Sequence, residues 1–91
     1  MIRIVKMTFR EDTVAEFRRI FEERKELIKN FPGCSHVELL NERNIFFTYS
    51  IWNSPQDLEN YRNSELFQST WALVKPLFVD KAEAWSLEKE F

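Results

Sequence analysis

The sequence has a single cysteine, a single histidine and a single glycine among its 91 residues. One cysteine excludes an internal disulfide framework, and Cys34 with His36 falls short of the three or four ligands of a usual zinc site. One glycine leaves no glycine-rich loop to cradle a phosphate. No apolar run approaches the ~18 residues that a membrane-crossing helix needs. Neither sign of charge dominates. The 13 basic and 15 acidic residues are interspersed and sum to −2, so no basic face points to nucleic acid or an anionic membrane. A strand-like pattern starts at Ile2, where a secretory signal would carry its apolar stretch. The expectation is one domain over residues 1–91, cytoplasmic and reduced, with no metal and no nucleic-acid or membrane partner.

Aromatic side chains, by contrast, are abundant: nine Phe, three Trp and two Tyr. That is a large apolar payload for a short chain, and a monomer has difficulty hiding all of it.

Ile2 to Phe9 is short, β-branched and apolar on both alternating faces, which predicts a strand covered on both sides. Glu11, Asp12 and Thr13 open a helix that runs to about Asn30, with acids in the turn where the helix dipole favours them. Its apolar stripe is Val14, Phe17, Ile20, Phe21, Leu27, Ile28 and Phe31. Arg18 with Glu22 and Arg19 with Glu23 are i,i+4 pairs on its wet side. Phe31-Pro32-Gly33 stops this helix. Cys34–Asn41 alternates again, with Val37 and Leu39 opposite Cys34, His36 and Leu40. Glu42-Arg43-Asn44 is a turn, and Ile45–Trp52 returns as a second strand of a hairpin. Ser54-Pro55, with Asp57 three residues after the serine, starts a short helix ending near Asn63. Ser64 caps another, with Leu66, Phe67, Thr70, Trp71, Val74, Leu77 and Phe78 along one side. The segment from Val79 to Phe91 reads as a strand that outruns its sheet, with Trp85, Leu87 and Phe91 opposite Ala82 and Ala84. The order βαββαβ predicts an α+β, ferredoxin-like fold: one antiparallel sheet with helices on one face. A second copy of the chain is the simplest cover for the other face.

Phe31-Pro32-Gly33-Cys34, Trp52-Asn53-Ser54, Leu58, Tyr61, Ser64-x-x-Phe67 and Ala84-Trp85-Ser86, in this order and spacing, resemble the antibiotic biosynthesis monooxygenase family of dimeric α/β barrels. The resemblance covers nearly the whole chain. It implies a homodimer with its sheets face to face and a small cavity in each subunit between sheet and helices. It also implies one of several activities, among them cofactor-independent oxidation of quinols or anthrone-like polyphenols by O2, and haem degradation. The haem-degrading members carry an Asn, a Trp and a His at positions that correspond here to Val5, Tyr61 and Trp71. All three depart from that pattern, and haem degradation is rejected. The remaining expectation is a monooxygenase that needs no cofactor and acts on a small aromatic molecule. A non-catalytic ligand-binding dimer and a small-ring isomerase are the alternatives.

Tyr61, Phe67 and Trp71 are the candidate substrate-binding residues, with core packing at helical spacing as the alternative for the aromatics. Arg24 falls within the apolar stripe of the first helix, where a charge is costly unless paired or able to reach water. It reads either as an anion anchor for the substrate or as a snorkelling or strand-paired side chain. His36, the one imidazole, is the candidate general base if it faces the cavity, and otherwise a surface or interface residue. Tyr49 is the second candidate catalytic group, through its hydroxyl. Trp52 and Trp85 read as packing or dimer-interface residues.

Overall fold

Strand parity decides which side chains meet the helices. The computed structural model describes Met1–Phe91. Strand β1 (Ile2–Thr8) is followed by helix α1 (Val14–Lys29), the hairpin β2 (Cys34–Glu42) and β3 (Ile45–Trp52), helices α2 (Pro55–Arg62) and α3 (Glu65–Val74), and strand β4 (Glu83–Leu87). One-turn 3-10 segments lead into α1 (Glu11–Thr13) and out of α3 (Lys75–Leu77). The sheet order is β2-β3-β1-β4, and every neighbouring pair is antiparallel. This is the ferredoxin-like arrangement that the element order predicts.

Two serines set the helix starts. Ser54 Oγ accepts the Asp57 N–H at 3.1 Å and donates to the Asp57 carboxylate at 2.8 Å, an N-cap in which the carboxylate takes the serine hydroxyl in place of the backbone N–H of a full capping box. Ser64 Oγ accepts the Phe67 N–H at 3.1 Å and donates to the Tyr61 carbonyl at 2.6 Å, which locks the bend between α2 and α3. Gly33 sits at φ +88°, and a Cβ there would run into the Asp57 side chain. Its carbonyl accepts the Asn53 N–H at 2.8 Å. The turn after α1 is thereby fixed against the start of α2, and only glycine meets both demands.

Val5, Met7 and Phe9 of the first strand segment face the helices together with Phe46, Thr48, Ser50 and Trp52 of β3. Phe9 is 0% exposed and forms the centre of a ring cluster. It stacks on Phe17 at 4.2 Å and contacts Phe46 at 5.7 Å and Phe78 at 5.2 Å between ring centroids. The opposite face presents Ile2 and Ile4, Phe47, Tyr49 and Ile51, Leu40, Trp85 and Leu87, by register and alternation. Leu40 is 50% exposed, Trp85 43% and Leu87 43%.

Some local expectations are corrected. A bulge between Cys34 and His36 shifts the register by one residue, so Cys34 pairs with inward-facing Trp52 while His36 pairs with outward-facing Ile51. Cys34 therefore parts from His36 and Leu40. Leu27 is exposed, because Ile28 takes the buried position in that turn of α1. Arg18 lies over the Phe46 ring at 5.3 Å instead of reaching Glu22, which pairs with Lys25. Arg19 does bridge to Glu23, and also to Glu16. Strand β4 is five residues long, pairing ends at Leu87 with Ile2, and Phe91 lies beyond the sheet, fully exposed.

Phe9→Ala is expected to cost about 3–5 kcal/mol, because the rings around it are held by separate elements and cannot close the void. Denaturant unfolding of the variant against the parent measures this loss.

Candidate functional site

The inward residues of the sheet form rows, and the rows change size along β1. Met7 pairs with Phe46 in the bulky row. Val5 stands beside Thr48 and Ala84 in the next. Arg3 stands beside Ser50 and Ser86 in the third. Rows are about 7 Å apart, two residues of an extended strand. Apart from Arg3, the side chains of the second and third rows are small and leave the helices unsupported, and a cavity of about 320 Å³ opens beneath them. Phe17, Phe21 and Ile28 of α1 form one wall, Leu58, Tyr61 and Arg62 of α2 another, and Phe67, Thr70, Trp71 and Val74 of α3 a third.

A continuous chain of rings runs along the cavity. Trp52 stacks on Tyr61 at 4.9 Å, Tyr61 meets Phe67 edge-on at 5.3 Å, and Phe67 stacks on Trp71 at 5.8 Å with an interplanar angle of 10°. The Trp52 indole N–H donates to Ser50 Oγ at 2.9 Å, which satisfies that buried pair. Tyr61 is different. Its hydroxyl makes no hydrogen bond within the chain, although the residue lines the cavity. Burial, with a smaller contribution from Cys34, pushes its phenol well above the ordinary range. Tyr61 is therefore a neutral hydrogen-bond donor in the cavity wall.

Two guanidinium groups belong to the same wall. Arg3 donates to Ser86 Oγ at 3.0 Å and has no carboxylate partner. Its pKa is held below the usual guanidinium range, chiefly by burial and then by repulsion from Arg62, with Glu59 opposing. Arg62 reaches Glu59 at 3.5 Å, with both side chains about half exposed. An ion pair of that geometry contributes little.

The structure brings three of the candidate residues together: Tyr61, Phe67 and Trp71 all line the cavity. Val5 does too, so the three positions where haem-degrading relatives carry Asn, Trp and His converge here as Val5, Tyr61 and Trp71. No imidazole is present among them to ligate haem iron. Arg24 lies elsewhere. It donates to Ser69 Oγ at 3.0 Å and Thr70 Oγ1 at 2.9 Å, and so ties α1 to α3 behind the cavity wall. It neither snorkels nor pairs with a strand carboxylate. His36 and Tyr49 lie on the opposite face of the sheet. His36 pairs with Glu38 at 3.2 Å, and the His36 and Tyr49 rings stand 6.2 Å apart. Both follow from parity: Val37 and Ser50 face the cavity, so their neighbours His36 and Tyr49 face away. Arg3 and Arg62 were missed by the sequence reading. Arg3 shares an alternating face with Val5, Met7 and Phe9, and a charge within an apolar face is the signal that singled out Arg24. Nowhere do three His, Cys, Asp or Glu side chains converge to hold a metal ion. No helix is long and apolar enough to cross a membrane.

The sequence profile of the antibiotic biosynthesis monooxygenase family matches residues 1–72. The chain belongs to this family. Solved structures agree on the fold. A protein from Nitrosomonas europaea, provisionally named an antibiotic biosynthesis monooxygenase, superposes with a TM-score of 0.91 at 13% identity, covering 99% of this chain and 98% of that one. A similarly named protein from Caulobacter crescentus gives 0.86 at 18% identity, covering 96% of this chain and 89% of that one. A conserved protein from Methanosarcina mazei Go1 gives 0.85 at 21% identity, covering 91% and 86%. No curated protein matches the sequence significantly.

The raised phenol gives a pH dependence with a definite sign. In the unfolded chain Tyr61 ionises near the ordinary value of about 10. In the folded chain it holds its proton to higher pH. The stability that this contributes is complete below pH ~10 and is lost as pH rises through the folded-state value. Ultraviolet titration should show one of the two tyrosines ionising only as the chain unfolds, and Tyr61→Phe should abolish that late phase.

Proposed function

We propose that this chain is a single-domain monooxygenase that oxidises a small electron-rich aromatic, of quinol or anthrone type, with O2 and without a resident metal or cofactor. The observation that supports it is the apolar cavity walled by Tyr61, Phe67 and Trp71, in a chain of this family. A phenol becomes electron-rich enough to reduce O2 when it loses its proton. The neutral Tyr61 hydroxyl donates a hydrogen bond to the resulting phenolate oxygen. The near-parallel Phe67 and Trp71 rings orient the aromatic plane, and the apolar walls keep water from the reacting carbon. The substrate supplies all four electrons: in an anthrone a ring CH2 becomes C=O, in a quinol a ring C–H becomes C–OH as the two hydroxyls become carbonyls, and in both one oxygen atom enters the product while the other leaves as water. The wall offers no carboxylate base, because Glu83 turns its side chain to Lys6, 3.7 Å away on the outer face of the sheet, and the phenol proton passes to solvent. His36 and Tyr49, on the far face, have no part in this chemistry.

The working unit in this proposal is a homodimer. The outward face of the sheet carries an exposed apolar set, with Trp85 at its β4 side and Leu40 at its β2 side, bordered by the Lys6–Glu83 and His36–Glu38 pairs. A second copy covers it by the same face, as closed two-fold symmetry requires. A ligand-binding dimer without catalysis is the second reading, favoured by the absence of an imidazole from the cavity wall.

Oxygen consumption over a panel of quinols, anthrones and catechols separates the two. Uptake should be stoichiometric with substrate, with one oxygen atom recovered in the product. Trp71→Ala should lower kcat/KM by roughly ten- to a hundredfold, and His36→Gln should leave it unchanged. A folded dimer that consumes no O2 with any member of the panel rejects the monooxygenase reading. Sedimentation should give twice the chain mass, and Trp85→Glu should shift the protein to monomer by burying a charge in the shared face.

A further inference from the structure

We propose that Arg3 and Arg62 form an anion anchor at one end of the cavity, and that the molecule bound there is an aromatic carrying a carboxylate. The inference rests on the reading of the cavity as the substrate site and adds the class of molecule it selects.

Three observations carry it. Arg3 projects from the inward face of β1, on the same side as Val5 and Met7, and lines the cavity. Of its five N–H donors, the single side-chain bond is to Ser86 Oγ, and no carboxylate lies within ion-pair distance. Arg62 lines the same cavity from α2. Glu59, its one carboxylate contact, lies one turn away on the exposed side. Arg62 stands close enough to disfavour the charge of Arg3, and Glu59 offsets this only in part. Two like charges at a partly buried site are costly, and an anion shared between them removes that cost. Planar guanidinium forks fit the two oxygens of a carboxylate.

The rest of the cavity is graded to match. Arg3 and Ser50 form its polar end, with Ser86 beside Arg3 in the sheet, while Met7, Phe17 and Val74 form the opposite end. Two row spacings, ~14 Å of strand, separate Arg3 from Met7. A cavity of ~150 Å³ holds one benzene, and this one measures about 320 Å³. One or two fused rings therefore fit between the apolar end and the anchor. Glu83 also touches the wall, but its carboxylate pairs with Lys6 at 3.7 Å on the outer face of the sheet. Arg24, tied to Ser69 and Thr70, takes no part.

The test compares 2-naphthoate with its neutral isostere 2-naphthamide by titration calorimetry at low salt. The parent protein should bind the naphthoate roughly tenfold more tightly or better. Arg62→Gln, an exposed position that leaves the fold intact, should cut that ratio severalfold. Arg3→Gln with Arg62→Gln should bring it to about one while binding of the naphthamide persists. Arg3→Lys, which keeps a charge but loses the fork, serves as the second variant should Arg3→Gln not fold. Equal affinity of the parent for both probes overturns the anchor, as does a preference that survives the double substitution. Trp71→Ala should weaken both probes alike, which reports on the cavity independently of the anchor. A preserved naphthoate preference in a protein that consumes no O2 upholds the anchor and rejects only the oxidase chemistry.

Discussion

Strand β1 is paired along both of its edges, and this double pairing fixes which of its side chains lie under the helices. Ile2 and Ile4 meet Ile51, Tyr49, Leu87 and Trp85 on one face, while Arg3, Val5 and Met7 meet Ser50, Thr48, Phe46, Ser86 and Ala84 on the other. A slip of one residue would exchange the two faces. The cavity floor, the ring cluster and the apolar outer surface all follow from that single register. The bulge at the start of β2 is the one local exception, and it brings Cys34 to the Trp52 side without disturbing the strands between.

The cavity is a consequence of uneven filling. At the Met7 end, Phe9, Phe17, Phe46 and Phe78 fill the space between sheet and helices. At the other end the floor residues are small, and the helices above cannot settle because their starts are pinned. Ser54 and Ser64 hold α2 and α3 at fixed points, Gly33 packs on Asp57, and Arg24 holds α1 against α3. The void therefore persists instead of collapsing.

Much of this was legible in the sequence. Alternation and 3.6-residue periodicity located every strand and helix, and Ser54-Pro55 and Ser64 marked their helix starts to the residue. Phe67 and Trp71 shared a helical face, Tyr61 shared a family pattern with Phe67, and the three do meet around the cavity. Parity between strands was not legible. Val37 and His36 alternate whichever way β2 faces, and only pairing with β3 places the imidazole outside. The inward orientation of Arg3 depends on the same pairing. Arg24 looked like a site because a charge stood in an apolar stripe, yet the hydroxyls of Ser69 and Thr70 that satisfy it lie about 45 residues away in the chain. A partner at that separation leaves no local trace.

The three tryptophans occupy three different environments. Trp52 is buried with its N–H bonded to Ser50, Trp71 lines the cavity beside Phe67, and Trp85 stands on the outer face of the sheet. Intrinsic emission from this chain is thus the sum of three reporters, one each for folding, occupancy of the cavity and coverage of the outer face. Replacing any two of them by phenylalanine isolates the third event optically, with no label attached.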